Sequence, residues 1–190
     1  MKKFLFIVAV ALTSVGYAQT DKGDWMVGSD LALSYESAKT TTKYDGDKRG
    51  DTTISTFKVT PNLNYFIVDN LALGLGLSYS NRKIKGQDGS KDSFTVVPNV
   101  HYYFPLDTNL KPFIGAGVGY KIRYDGKEDV DKWNGLTVGG KLGIAYFVNN
   151  GAALTGYVGY DFDNLKNKKD DKLKLQTGTL GVGIGVALFF

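Results

Sequence analysis

A strict two-residue alternation of apolar side chains over residues 59–79 is the feature that most constrains this chain. One face carries the apolar set Val59, Pro61, Leu63, Tyr65, Ile67, Leu71, Leu73, Leu75, Leu77 and Tyr79. The alternate positions, which include Asn62, Asn64 and Phe66, form a second face that we interpret as small or polar. Because successive side chains of a β-strand point to opposite faces, the stretch predicts two strands of about ten residues joined by a tight turn at Asp69-Asn70.

The same hairpin pattern recurs further along the chain. Proline–asparagine and double-aromatic pairs mark the copies: Pro61-Asn62 with Tyr65-Phe66, Pro98-Asn99 with Tyr102-Tyr103, and then Tyr146-Phe147. Such repeats are typical of one supersecondary unit used several times. Over 190 residues the alternation predicts eight strands in one domain, with alternately short and long connections. The long connections are predicted as charged loops at residues 38–52, 83–92, 124–134 and 163–172.

The first residues have the pattern of a signal peptide. Lys2-Lys3 precedes an unbroken apolar run over residues 4–12, and Gly16-Tyr17-Ala18 places small residues before Gln19. The apolar run is about half as long as a membrane-spanning helix. We therefore predict a signal peptide over residues 1–18, cleavage between Ala18 and Gln19, and an exported domain over residues 19–190. The alternative is an N-terminal strand or buried helix.

The repeated apolar face could point toward a protein core or toward lipid. An eight-stranded barrel has an interior just wide enough for side chains to fill it. Large aliphatic and aromatic residues on every strand would overfill that interior, whereas the glycine-rich second face would fit a narrow lumen. The sequence therefore favours an apolar face that contacts lipid, and a soluble lipocalin-like barrel is the alternative.

Aromatic residues fall in two groups along the predicted strands. Tyr35, Tyr79, Tyr120 and Tyr160 lie at the long-loop ends, and Trp25, Tyr65, Tyr102, Tyr146 and Phe190 lie at the short-turn ends. Two aromatic belts with aliphatic residues between them describe a hydrocarbon layer with two interfaces. Because open sheet edges do not occur in lipid, the strands must close. The prediction is an all-β fold, an eight-stranded antiparallel up-and-down transmembrane β-barrel with short turns and both termini on the periplasmic side.

Pro61 and Pro98 do not fit an uninterrupted closed barrel, since proline has no N–H to donate to a neighbouring strand. We interpret each as a bulge or as a place where strand pairing ends. The sequence leaves both alternatives open.

Composition excludes several classes of function. The absence of cysteine excludes a disulfide scaffold, a thiolate metal site and a lipid-modified N-terminal cysteine. The formal net charge is +4, and Lys2 and Lys3 of the leader contribute two of these charges. The remaining excess is small and mixed with acidic residues, so no nucleic-acid partner is predicted.

The hairpin motifs resemble the small outer-membrane β-barrel family of Gram-negative bacteria, which includes the transmembrane domain of outer-membrane protein A and OmpX-type proteins. The resemblance rests on the repeats within residues 61–79 and 98–120 and on a final strand that ends in Phe190. It implies an outer-membrane location and contact with outer-membrane lipids. It also implies that Phe190 is the assembly signal for the barrel-assembly machinery. We expect no peptidoglycan-binding domain after the barrel.

Nine polar residues are predicted to line the lumen as a network: Asp30, Glu36, Lys58, Arg82, His101, Lys121, Arg123, Lys141 and Asp161. Opposite charges in a narrow lumen would pair and plug it. The alternative is a gated ion path. His101, the sole histidine, is interpreted as a lumen residue that forms hydrogen bonds, since no serine motif or second histidine supports a catalytic base.

The predicted function is therefore a non-enzymatic integral outer-membrane barrel with a structural or surface-interaction role and a lumen plugged by side chains. A small pore or transport protein is the alternative, and a lipid-modifying enzyme that uses His101 is a further hypothesis. No cofactor or metal is predicted, although Asp45-Gly46-Asp47 and Asp170-Asp171 are weak candidates for cation contact. Lysines and arginines of the loops could contact lipopolysaccharide, and the loops could bind extracellular ligands.

Overall fold

The fold is a closed antiparallel β-barrel in a computed structural model of the chain, which describes residues 20–30, 35–44, 47–56, 60–83, 90–124, 132–170 and 172–190. The side chains of residues 29–56, 81–83, 90 and 91 are not among those described. Ten strand segments are present in the described ranges: β1 (Trp25–Asp30), β2 (Tyr35–Tyr44), β3 (Asp47–Thr56), β4 (Thr60–Val68), β5 (Leu71–Lys83), β6 (Ser90–Tyr103), β7 (Leu110–Tyr124), β8 (Lys132–Asn149), β9 (Ala152–Asn167) and β10 (Leu173–Phe189).

Eight of these segments form the closed ring. Each strand from β4 to β10 pairs with the next, and β1 closes the ring by pairing with both β4 and β10. Strand β2 pairs with residues 173–182 of β10, past the part of β10 that pairs with β1, and β3 pairs with β2. These two segments therefore lengthen the barrel wall on the side away from the turn at residues 69–70. The prediction of an eight-stranded antiparallel barrel is confirmed.

The outer wall of the barrel is apolar. Leucine, valine, isoleucine and aromatic side chains on all the described ring strands are exposed, and Leu142 reaches 60% exposure. The alternate positions, such as Ala72, Ala145 and Ala187, are buried. On β8 the apolar stretch from Leu136 to Tyr146 spans roughly 25 Å along the barrel axis at the usual rise and tilt, which matches the hydrocarbon layer. The soluble alternative is therefore wrong. Among the described residues, no helix is long and apolar enough to span a bilayer.

The two ends of the barrel differ. At the short-turn end, strands are joined at residues 69–70, 104–109 and 150–151. At the opposite, long-loop end, strands of 14 to 18 residues such as β6, β8 and β10 continue beyond the nine to eleven or so residues that cross a bilayer. By the usual topology of such barrels, the short-turn end faces the periplasm.

One predicted charged loop is largely strand, and half of another is strand. Residues 38–52 lie mostly in β2 and β3, whose Cα partners run from Glu36↔Thr56 to Tyr44↔Asp47. The segment is charged, but its many threonines favour extended backbone. Residues 163–167 belong to β9, and Lys83 ends β5 rather than beginning a loop. The density of charged residues therefore does not indicate an absence of strand pairing in these segments.

The two prolines interrupt pairing on one side only. Pro61 is the partner of Ser29 on β1, whereas pairing of β4 with β5 begins at Asn62. Pro98 is the partner of Leu75 on β5, but the pairs between β6 and β7 stop at Val96 and resume at Asn99 without a change of register. A missing N–H on one side explains this pattern. Of the two interpretations, a local end of pairing is the one observed.

Candidate functional site: the barrel lumen

Aromatic rings fill the lumen at the short-turn end. Phe66, Phe147 and Phe189 are each at most 2% exposed, and Tyr103 and Phe113 pack beside them. Ring centroids lie 4.9 Å apart for Phe147 and Phe189, 5.4 Å for Tyr103 and Phe113, and 5.9 Å for Phe66 and Tyr103. Met26 and four alanines complete this group, which we call the aromatic plug. Its spacing is that of a packed hydrophobic core.

The aromatic plug corrects the interpretation of the second face as small or polar. In each double-aromatic pair, the alternation of the strand sends the first ring to lipid and the second into the lumen: Tyr65-Phe66, Tyr102-Tyr103 and Tyr146-Phe147. The terminal pair follows the reverse order, since Phe189 is buried and Phe190 is exposed. The double aromatics of the repeats indicate the plug, because adjacent residues of a strand face opposite sides. From the sequence, a role is predicted only for the lipid-facing ring of each pair.

Residues 20–24 cover the aromatic plug from the periplasmic side. The Phe66 amide donates to the Asp24 carbonyl at 2.9 Å, and the Gly23 amide donates to the Phe66 carbonyl at 2.9 Å. The Lys111 ammonium donates to Thr20 Oγ1 at 2.9 Å and lies 5.4 Å from the centre of the Phe147 ring. Partial burial raises the pKa of the Asp24 carboxyl above its ordinary value, although a backbone hydrogen bond from Asp21 opposes the shift. These contacts attach the segment to the barrel mouth.

Above the aromatic plug lies a polar layer around His101. The Nδ1 atom of His101 is 3.3 Å from Asn64 Oδ1, and Asn64 Nδ2 donates to Asn62 Oδ1 at 2.9 Å. The Lys141 ammonium lies 5.2 Å from the centre of the Tyr157 ring. Of these residues, Asn62, His101 and Lys141 border a cavity of about 20 Å³, which is enough for about one water molecule. The ring of His101 is buried and packs edge-on against Phe113.

Nearer the long-loop end, an ion pair lies inside the lumen and joins β7 to β9 past β8. The Lys121 ammonium donates to Asp163 Oδ2 at 2.6 Å, and the Asp163 side chain is 6% exposed. The sequence predicts Asp163 as the first residue of a charged loop, because several charged residues follow it. In the structure it lies on the inner face of β9. Arg123 and Asp161 are partly buried, and both have interaction partners.

A second apolar group lies inside the mouth at the long-loop end. Trp133, Leu165 and Leu175 are buried, and Leu173 packs against them. We call this group the mouth cluster. It follows from the same alternation, since these residues hold inward positions on β8, β9 and β10. Trp133 and Leu165 fall within predicted charged loops, which concealed the cluster in the sequence.

For four predicted lumen residues, the structure describes no side chain. Lys58 lies outside the described residues, and so do the signal-peptide boundary residues Ala18 and Gln19. For Asp30, Glu36 and Arg82 only the backbone is described, in β1, β2 and β5 respectively. Of the weak cation candidates, residues 45–46 and 171 are also outside the described ranges. Among described residues, no three carboxylate, histidine or cysteine side chains come together as a metal site.

The interface aromatics lie on the outer wall at two levels. Trp25, Tyr65, Tyr102, Tyr146 and Phe190 are exposed near the short-turn end, and Tyr79, Tyr120 and Tyr160 are exposed toward the other end. The rings of Trp25 and Tyr65 pack against each other in a tilted arrangement, with centroids 5.0 Å apart. The Trp25 amide and the Phe190 carbonyl are joined at 2.7 Å, so the final residue also helps to close the ring. For Tyr35 only the backbone, paired with Val182, is described.

The geometry and the family comparison agree. A family model described as "Outer membrane protein beta-barrel domain" matches residues 4–186. The chain belongs to this family. It is thus an integral protein of the outer membrane of a Gram-negative bacterium, with a closed barrel whose apolar wall meets the lipid.

A curated relative matches part of the chain in sequence, and solved structures show the same fold. An uncharacterized outer-membrane protein, y4mB of Sinorhizobium fredii, is 29% identical over 126 residues, which are 63% of this chain and 55% of that protein. The chain thus spans about half the length of the curated relative it matches. OprG of Pseudomonas aeruginosa has a TM-score of 0.55 at 15% identity over 90% of this chain and 97% of its own. The Neisserial surface protein NspA gives 0.55 at 15% over 88% and 99%, and AlkL gives 0.57 at 16% over 94% and 93%.

Proposed function

We propose that this outer-membrane barrel neither conducts nor catalyses, and that its role is structural and lies at its outer surface. A lumen that carries water or ions needs a continuous polar path. The aromatic plug interrupts that path at the short-turn end, and residues 20–24 lie across it. The burial of Phe66, Phe147 and Phe189 is the observation that carries the proposal.

The surroundings of His101, the candidate catalytic base, also support a non-enzymatic role. The recorded hydrogen bond of His101 joins it to Asn64 rather than to a hydroxyl nucleophile. A general base needs the group that it deprotonates within hydrogen-bond reach. We therefore assign His101 to the internal packing of the lumen. Envelope lipid chemistry that is lost in a His101→Ala variant that still folds would contradict this assignment.

Planar-bilayer recording tests the closed lumen. The purified wild type is expected to show no stable unitary conductance, whereas the Phe66→Ala/Phe147→Ala double variant removes two inward rings and is expected to open a path. The matched control is Tyr65→Ala/Tyr146→Ala, which removes the lipid-facing ring of the same two pairs and is expected to remain silent. Variants must first migrate as folded barrels in heat-shift electrophoresis.

The polar layers above the plug are the feature that favours a small pore instead. Lys141 borders the cavity, and the Lys121–Asp163 pair lies inside the lumen. If the protein were a pore, the wild type would conduct, and neutralising Arg123 or Lys141 would change its ion selectivity. Stable wild-type conductance with that dependence would overturn the proposal.

A further inference from the structure

Three lysines lie on neighbouring strands at the long-loop end of the outer wall. Lys166 on β9 is the Cα partner of Lys174 on β10 and, on its other side, of Asn134 on β8. Lys132 lies two residues from Asn134 on β8. We call Lys132, Lys166 and Lys174 the lysine row.

The lysine row is on the lipid-facing side of the wall. Lys166 is four residues beyond the exposed Phe162 on β9, and the alternation of exposed and buried residues continues without a break between them. At the usual rise and tilt, this places Lys166 roughly 10 Å farther along the barrel axis than Phe162. The polar residues Asn134, Asn164 and Gln176 lie between the apolar band and the row. The lysine backbones therefore lie at the outer side of the headgroup layer, which adds roughly 5–8 Å to each side of the hydrocarbon core, and long side chains that extend back along the wall reach that layer.

Positive charge in the row is not balanced by the described protein. Like charges directly opposite on paired strands destabilise a sheet, and Lys166 and Lys174 are such a pair. The nearby carboxylate of Asp163 is buried on the inner face and pairs with Lys121. Asp170 lies in the turn, where its Oδ1 accepts a hydrogen bond from the Lys172 amide. The described part of the chain contains no ion pair to Lys166 or Lys174.

The mouth cluster holds the lysine row from behind. Each lysine is adjacent in sequence to one buried member of the cluster, in the dipeptides Lys132-Trp133, Leu165-Lys166 and Lys174-Leu175. The Lys132 ammonium is also positioned 5.1 Å from the centre of the Tyr124 ring. The backbone positions that carry the three lysines thus belong to paired strands with buried neighbours, whereas residues of a turn lack such support.

We propose that the lysine row binds phosphate groups of anionic lipid in the outer leaflet. The position selects a lipid rather than a soluble polyanion, because the lysine stems can lie along the wall and direct their ammonium groups toward headgroups just above the apolar band. Anionic headgroups would relieve the repulsion between Lys166 and Lys174. This inference requires the membrane barrel but does not depend on whether the lumen conducts.

Binding of fluorescent lipid A to the detergent-solubilised protein tests the proposal. The variant Lys166→Gln/Lys174→Gln removes two charges from the row while keeping most of each stem. The matched control, Lys169→Gln/Lys172→Gln, removes two exposed charges from the adjacent turn. We expect the row variant to bind about 30-fold more weakly, which corresponds to about 2 kcal/mol, and the control to bind within about twofold of wild type.

Two further probes identify the chemistry. Dephosphorylated lipid A should bind the wild type as weakly as intact lipid A binds the row variant. Equal affinity for the two lipids, or equal losses in row and control variants, would overturn the proposal. Row-dependent binding of a soluble sulfated polysaccharide without row-dependent binding of lipid A would also overturn it. If the double variant does not migrate as a folded barrel, Lys166→Gln alone is expected to weaken binding about fivefold.

Discussion

Truncation of Phe66 tests whether the lumen is packed as a protein core. Phe66 is 0% exposed, and its ring lies 5.9 Å from the Tyr103 ring and 6.2 Å from the Phe189 ring between centroids. Replacing a buried phenylalanine by alanine removes its transfer free energy and leaves a cavity. The free energy of unfolding is therefore expected to fall by about 3–5 kcal/mol for Phe66→Ala. Phe66→Leu, which keeps most of the volume, should lower it by about 1 kcal/mol.

Leu63→Ala is the control, because Leu63 is on the same strand but faces lipid. Its truncation loses about 2 kcal/mol of transfer free energy, and mobile acyl chains fill the space that the side chain leaves. Urea unfolding in lipid vesicles, followed by tryptophan fluorescence, measures both variants. If Phe66→Ala lowers the free energy of unfolding no more than Leu63→Ala, the reasoning that the aromatic plug is tightly packed is refuted.

Three other substitutions examine separate layers of the lumen. Gly115→Ala would place a Cβ 2.6 Å from Nε2 of the buried histidine, so the free energy of unfolding in the same urea assay should fall by about 1–3 kcal/mol; an unchanged value would contradict that close approach. Lys121→Met leaves the buried Asp163 carboxylate without its partner, and a double-mutant cycle with Asp163→Asn should give a coupling free energy of about 1–2 kcal/mol rather than zero. Leu165→Ala keeps every charge but loosens the mouth cluster, so lipid A affinity should fall several-fold; full affinity would show that the lysine row needs no rigid support.

The outer wall was predictable from sequence because one solvent acts on every strand. Lipid requires an apolar side chain at each outward position, so Leu73 on β5 and Ile144 on β8 follow the same rule although they are distant in the chain. The number and antiparallel order of the strands followed from that periodicity. Strand ends did not follow, because backbone pairing continues in water, and residues such as Thr42 and Asn167 remain in strands beyond the apolar band.

The lumen was less predictable because its filling depends on residues that meet across the barrel. Phe66, Tyr103 and Phe189 come from three strands, and their convergence requires the register of the whole ring. A local pattern shows that each position is inward, but it does not show that the inward ring finds other rings. Lys121 and Asp163 likewise face each other from β7 and β9, with β8 between them.

The mouth cluster lies between the lumen and the charged part of the outer wall. Trp133, Leu165 and Leu175 exclude water from the inner side of β8, β9 and β10 above the membrane band, where an open pore would have polar residues. The unbroken antiparallel pairing of β9 with β10 holds Lys166 and Lys174 in direct register behind this cluster. Because these two paired strands cannot separate at that point, an anion bound from outside would neutralise both charges, and the outer surface is accordingly where we locate the function.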